Sequence, residues 1–250
     1  MSTIVRSRQE AVLRELNLYP LWQRRGVPAP VPALIAAEPA VELPAVEEKS
    51  DKQSLADLGW TELKALVKNC TACKLRAGCT QTVFGVGDEK ADWLFVGEGP
   101  GADEDEQGEP FVGQAGKLLD NMLAAIKLKR GNNAYIANIV KCRPPGNRAP
   151  QADEIAQCLP YLERQIRLIQ PKIIVALGET AATSLLGRDA TLDSLRGKLH
   201  DCCGVPLIVT YHPAYLLRAP LEKSKAWQDL CLAVETMQSL VKVVPSVVVA

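Results

Sequence analysis

The sequence predicts an α/β domain built on a parallel sheet with helices on both faces. Three observations carry this. Four short runs rich in β-branched and aromatic residues, Asp92–Val96, Ala134–Val140, Lys172–Leu177 and Pro206–Tyr211, each have the length of a buried strand. Segments of helical periodicity lie between them, and strand–helix alternation at this spacing is the mark of parallel pairing. Unusual residues then follow the strands, where open α/β sheets bind their ligands. These are Gly97-Glu98-Gly99-Pro100-Gly101, Lys141-Cys142-Arg143-Pro144-Pro145, Gly178-Glu179 and His212-Pro213.

The elements follow in chain order. Residues 1–25 carry five arginines (Arg6, Arg8, Arg14, Arg24, Arg25) against Glu10 and Glu15, with Val12, Leu13 and Leu16 at helical spacing. Residues 26–53 open with a stretch holding Pro28, Pro30, Pro32, Pro39 and Pro44, which denies helix and sheet alike and reads as an extended tether. The folded body is expected over 54–242, opening where Ser54 can cap a helix with Asp57 three residues on, and a short tail covers 243–250. Leu118, Leu119, Met122, Leu123 and Ile126 mark one helix face, and Ile155, Leu159, Leu162 and Ile166 another. Pro160 is expected to kink or restart that second helix. Gly178–Leu186 reads as a third helix closed by Gly187, and Lys225–Val241 as a fourth.

Composition narrows the function. Apolar residues make up 47% of the 250, which excludes collagen-like and wholly disordered chains. No apolar run approaches the ~20 residues of a membrane span, and Met1–Arg25 lacks a signal-peptide core, so a cytoplasmic home is expected; a monomer is expected as well. The 29 basic and 29 acidic residues balance, so a polyanionic partner has to be met by a local patch. Eight cysteines in such a chain point to metal or catalysis before disulfides, and only His200 and His212 offer imidazole chemistry.

Cys70 and Cys73 form a C-x2-C pair, while Cys142 and Cys158 come from a strand end and a helix. Such a set can make a four-thiolate cage for zinc or an iron–sulfur cluster, although spacing alone leaves buried free thiols and redox catalysis open. Cys79, Cys202, Cys203 and Cys231 lack such pairing and read as bystanders. Gly97, Gly99 and Ala102 fit a degenerate dinucleotide-loop pattern, but Pro100 and the acidic run Asp103–Glu106 oppose a pyrophosphate. In His212-Pro213-Ala214-Tyr215-Leu216-Leu217-Arg218, the paired leucines and the arginine suit a wedge against a base stack backed by a phosphate clamp.

These blocks, GEGPGADEDEQGEPFVGQAGKLLD (97–120), NIVKCRPPGNRAP (138–150) and HPAYLLR (212–218), together with the four cysteines, resemble the family-4 uracil-DNA glycosylases over about residues 60–240. The resemblance implies a four-stranded parallel sheet flanked by helices and a monofunctional glycosylase acting on single- or double-stranded uracil-containing DNA. It also implies a [4Fe-4S] cluster on Cys70, Cys73, Cys142 and Cys158. Within that reading the Asn138 amide matches N3–H and O4 of uracil, whereas cytosine presents the reverse pattern. Phe111 stacks on the flipped base, and backbone N–H groups around Gly99 reach its edge. Glu104 crowds the C5 side, and His212 donates to O2 of the departing uracil anion. Gly99 occupies the position where other uracil glycosylases carry an aspartate, so the water-activating group falls among Glu98, Glu104 and Asp105, with Glu98 and Glu104 ahead. Arg143, Arg148, Arg196, Lys198 and Arg218, with Lys141, are candidate phosphate contacts, and Leu216 and Leu217 the wedge.

Two alternatives stand beside this: a non-catalytic iron–sulfur or zinc module binding damaged DNA, and a redox protein. Separately, Glu10–Arg25 resembles the N-terminal peptide by which the psi subunit of bacterial DNA polymerase III holds the chi subunit, through its L-x-x-L…W-x-x-R pattern. It is expected to be a short helical segment recruiting the chain to a replication protein.

Overall fold

The computed structural model describes residues 55–243. The expected segments 1–25 and 26–53, Ser54 and nearly all of the tail therefore lie outside the described residues. The first full helix, α1 (Trp60–Lys68), opens at Gly59, whose N–H donates to the Glu62 carboxylate at 2.8 Å.

The sheet has six strands, β1 (Val86–Gly87), β2 (Trp93–Gly97), β3 (Ala134–Asn138), β4 (Ile173–Leu177), β5 (Leu199–Cys202) and β6 (Val205–Thr210), in the order β1-β3-β2-β4-β6-β5. The four inner strands are parallel and lie within two residues of their expected bounds. The expected four-stranded sheet gains two antiparallel edges. β5 turns back onto β6 through Cys203 and Gly204, both at positive φ as a two-residue hairpin of type I′ requires. β1 is two residues long and pairs with β3, too short to stand out as a strand in sequence.

Alternation along the inner strands gives the sheet two apolar faces. Leu94, Val96, Tyr135, Ala137, Ile174, Ala176, Leu207 and Val209 pack with α1, α4 (Ala152–Ile169) and α5 (Glu179–Leu186). Trp93, Phe95, Ala134, Ile136, Ile173, Val175, Leu177 and Ile208 pack with α3 (Gln114–Ala125) and α8 (Lys223–Val243). Helices thus cover both faces, as period-2 burial on both sides demands. Short helices α2 (Ala102–Gln107), α6 (Leu192–Leu195) and α7 (Pro213–Arg218) follow β2, α5 and β6. One expectation is corrected: α4 is not restarted at Pro160 but runs as one 18-residue segment through it. The proline leaves the Ala156 carbonyl without its helical donor, and burial of Cys158, Tyr161, Leu162 and Gln165 holds the flanking turns together.

The topology sets the site. From β2 the chain crosses to β3 on one side, then returns to β4 on the other, so the strand order reverses between β2 and β4. Ligands in doubly wound sheets bind at the carboxyl end of such a switch point. All four segments singled out after the strands emerge there.

Candidate active site and thiol cavity

A pocket opens at this end of the sheet, lined by Glu98, Gly99, Glu104, Phe111, Asn138, Thr180, His212 and Tyr215 among others. Its floor is tightly built. A Cβ on Gly97 would fall 2.5 Å from both Asn138 Oδ1 and the Phe111 ring, so only glycine lets the β2 exit pass beneath those groups. Asn138 is 1% exposed, and its Oδ1 accepts no hydrogen bond. An unpaired buried acceptor costs about 1–3 kcal/mol and calls for a reason. Phe111 lies with its ring centroid 5.5 Å from that of His212, tilted by 30°.

His212 caps α7, and its Nδ1 accepts the Ala214 N–H at 3.1 Å. That bond leaves Nδ1 unprotonated, so the neutral ring carries its proton on Nε2 as a donor. Burial, joined by the Arg218 charge and opposed by Glu104, pulls the imidazolium pKa down to about 4. At neutral pH this histidine is an uncharged hydrogen-bond donor.

The acidic residues divide. Glu98 Oε2 accepts from Thr180 Oγ1 at 2.5 Å, which fixes the carboxylate at the pocket wall. Glu104 accepts from the backbone N–H groups of Gly101 (3.0 Å), Val112 (2.9 Å) and Gly113 (3.1 Å), pinning the loop that carries Phe111 to α2. Both of its oxygens accept from this backbone while the residue still lines the pocket. Asp105 is corrected: it is buried and holds Thr80 and Gln81 by their N–H groups, outside the pocket lining.

The expected basic set is thinned. Lys141 is buried, its Nζ donating to the Asn138 carbonyl (3.0 Å) and to Gln165 Oε1 (2.6 Å). Arg196 is held by Asp229 at 2.7 Å and lies over the Tyr211 ring, so its role as a phosphate contact is corrected. Arg148 reaches the pocket but forms a two-pronged pair with Glu154, whose carboxyl that guanidinium holds down at about 2. Arg143 donates to Asn147 (2.7 Å), and exposed Lys198 to the Ser194 carbonyl, away from the pocket lining. Arg218 is exposed at the rim and has no acidic partner among the described residues. The two-leucine wedge is corrected as well. Leu216 packs into the core at 1% exposure, leaving Leu217 exposed beside Tyr215.

The four expected thiols meet in a second cavity on the other side of Lys141, with Cys142 and Cys158 buried and Cys70 and Cys73 partly so. Cys70, Cys73, Cys142 and Cys158 line it with Val67, Leu75 and Tyr161. Burial pushes the thiols of Cys73, Cys142 and Cys158 upward, so each stays protonated unless a cation compensates the thiolate. Cys158 Sγ accepts the Lys141 N–H at 3.2 Å. Among the described residues no three His, Cys, Asp or Glu side chains are grouped to hold a single metal ion. Cys79, read as a bystander, is buried against Cys142 and helps push its thiol up.

Thr180 was beyond sequence reasoning because nothing marks one threonine at the start of a helix; the adjacent Gly178-Glu179, flagged after a strand, was the available signal. Tyr215 lay inside the HPAYLLR block but carried no assigned role.

The geometry can now be set beside known proteins. The model of the uracil DNA glycosylase superfamily matches residues 84–231. A type-4 uracil-DNA glycosylase of Pyrobaculum aerophilum is 43% identical over 179 residues, spanning 68% of this chain and 91% of the relative. Type-4 enzymes of Archaeoglobus fulgidus and Thermotoga maritima are 45% and 46% identical, spanning 62% and 61% of this chain and 81% and 80% of their own length.

Proposed function

The chain belongs to the uracil DNA glycosylase superfamily and to its type-4 branch, and we propose that it excises uracil from DNA, hydrolysing the N-glycosidic bond to leave an abasic site. The observation that carries the reading is Asn138, a buried amide at the pocket floor whose oxygen lacks a donor. Uracil N3–H supplies that donor, while the amide N–H₂ meets O4. Cytosine brings an acceptor to the same oxygen and leaves it unpaired, which is the stronger kind of discrimination. The target base has to leave the stack to reach this floor, and Phe111 then covers one ring face.

Cleavage of C1′–N1 sends the bonding electrons to uracil, concentrating charge on O2. His212, neutral and donating through Nε2, stabilises that charge without transferring a proton, as a preorganised dipole does. Glu98, held by Thr180, is the carboxylate left to orient the water that attacks C1′. Glu104 serves by shaping the loop and the wall beside uracil C5. Arg218, Arg143, Lys198 and Leu217 are the DNA contacts that burial and pairing leave available, with Arg148 contributing beside its partner Glu154.

Cys70, Cys73, Cys142 and Cys158 are assigned as ligands of a [4Fe-4S] cluster. The fit rests on the donor set: four thiols with no imidazole or carboxylate in the lining, and a backbone N–H directed at one sulfur. When bound, the cluster supplies a rigid cross-link between the C-x2-C segment, the β3 exit and α4. No helix among the described residues is long and apolar enough to cross a membrane, which is compatible with a cytoplasmic repair enzyme. The test is incubation with a uracil-containing oligonucleotide followed by alkali. Strand breakage at the uracil position supports the reading, and an intact strand that nevertheless binds the protein supports a non-catalytic module instead.

A further inference from the structure

Phe111 is not held by its ring alone. It has φ +57°, a left-handed conformation that costs a bulky side chain energy and persists only where the surroundings impose it. Two features impose it here. The Phe111 carbonyl lies where a Cβ on Gly116 would sit, only 1.8 Å from that position, so α3 accepts the turned carbonyl through a glycine. The second is Arg130, in the segment leading to β3. Its Nη2 donates to the Phe111 carbonyl and its Nη1 to the Pro110 carbonyl, both at 2.7 Å, while Nε donates to Asp120 Oδ1 at 3.0 Å. The planar guanidinium thus grips two consecutive carbonyls and is itself oriented by a carboxylate on α3. Lysine has no such fork.

Arg130 is absent from the lining of the base pocket and lines a separate hollow with Asp120 and Asn133. We infer that Arg130 is a positioning residue for uracil recognition: it holds the Pro110–Phe111 backbone in its strained turn, and so keeps the Phe111 ring over Gly97 and beside His212. The inference rests on the base-stacking role given to Phe111 above.

The experiment is a double-mutant cycle on the full chain, read by single-turnover excision and by inhibition with free uracil. Arg130→Gln is expected to lower kcat/KM by about 10- to 100-fold, the range for a small misplacement of a positioned group. It should weaken inhibition by free uracil in parallel and leave binding to abasic-site DNA unchanged. Arg130→Lys should recover little, and added guanidinium should restore part of the Arg130→Gln loss. In a Phe111→Leu background, Arg130→Gln should cost almost nothing more, because the ring it positions is gone. An undiminished penalty in that background, or equal loss of abasic-site binding, would overturn the inference. Should Arg130→Gln fold poorly, Asp120→Asn loosens the same fork more gently and should show the same pattern at smaller amplitude. Phe111→Leu alone separates the two readings: no effect sinks the stacking role itself, whereas a clear effect with an inert Arg130→Gln sinks only this inference.

Discussion

The thiol cavity and the base pocket are four residues apart along one strand exit, Asn138 to Cys142, yet they are built on opposite terms. The pocket gathers the polar groups Glu98, Asn138, Thr180 and His212, assembled from residues at the ends of β2, β3, β4 and β6. The cavity is lined largely by apolar surface, assembled from a loop, a strand exit and the middle of a helix. One site presents a buried acceptor without a partner; the other gathers four thiols, two of them buried. Lys141 stands between them, its Nζ on the Asn138 carbonyl and its N–H on Cys158. The pair teaches that a parallel sheet makes a reaction site cheaply, from strand ends, whereas a cage needs an extra tie across elements that the sheet does not bring together.

Breaking that tie should have the largest effect. Cys142→Ala or Cys158→Ala is expected to give insoluble or proteolysed protein, while the wild type is brown with iron and sulfide near four each per chain, about the content of one such cluster. Iron and sulfide analysis of anaerobically prepared protein checks this. Stoichiometric zinc without visible absorbance would show the cage reading wrong.

The pocket should break differently, losing rate with the fold intact. His212→Ala is expected to lower single-turnover excision by about 10²–10³-fold, the cost of losing an anion-stabilising donor. Asn138→Ala should lose rate and also erode the preference for uracil over cytosine, measured on paired oligonucleotides. The pH profile sharpens the role of His212. Because its pKa is lowered to about 4, excision should not change as pH falls through 6.5 and should decline only near 4; a rise in activity through 6.5 would mean that the imidazolium is the working form. The sign for stability follows from the same shift. Between 6.5 and 4 the unfolded chain takes up a proton that the native histidine refuses, so wild-type stability falls with acid across this window. The fall should be shallower in His212→Asn, by denaturant titration at several pH values.

Between the two sites, Lys141→Met tests their connection. The substitution leaves the Asn138 carbonyl and Gln165 Oε1 without a donor, at about 1–3 kcal/mol. A fall in Tm with a simultaneous loss in uracil-over-cytosine preference supports a shared strut, and an unchanged preference confines Lys141 to stability.

How far the sequence foretold all this follows the same division. The inner strands were legible because each is a compact apolar run, and the pocket was legible because its residues sit directly behind those runs. Burial and pairing were not. Nothing in the string distinguishes Lys141, sealed in the core, from exposed Lys198, or Leu216 from Leu217, since an adjacent pair on a short helix gives no period to read. Arg196 looked like a phosphate clamp because its partner, Asp229, lies 33 residues away on α8. β1 and β5 escaped because edge strands this short carry little pattern, and α4 ran through Pro160 because tertiary packing outweighed the missing hydrogen bond.

The smallest expected effect concerns residues 1–53, which precede the described body and the family match beginning at residue 84. Every group assigned to excision or to the thiol cavity lies at or after Val67. Removing 1–53 should therefore leave single-turnover excision on free oligonucleotides unchanged, together with the iron content and the pH profile. The proposed recruiting role of Glu10–Arg25 makes a separate claim, because a tethered anchor acts by raising local concentration and not by altering the site. A pull-down with the chi subunit of bacterial DNA polymerase III should retain the full chain and lose the truncated one. Retention of both would end the recruiting role, while a truncated enzyme that loses activity would show that the excision machinery extends further toward the N-terminus than either site requires.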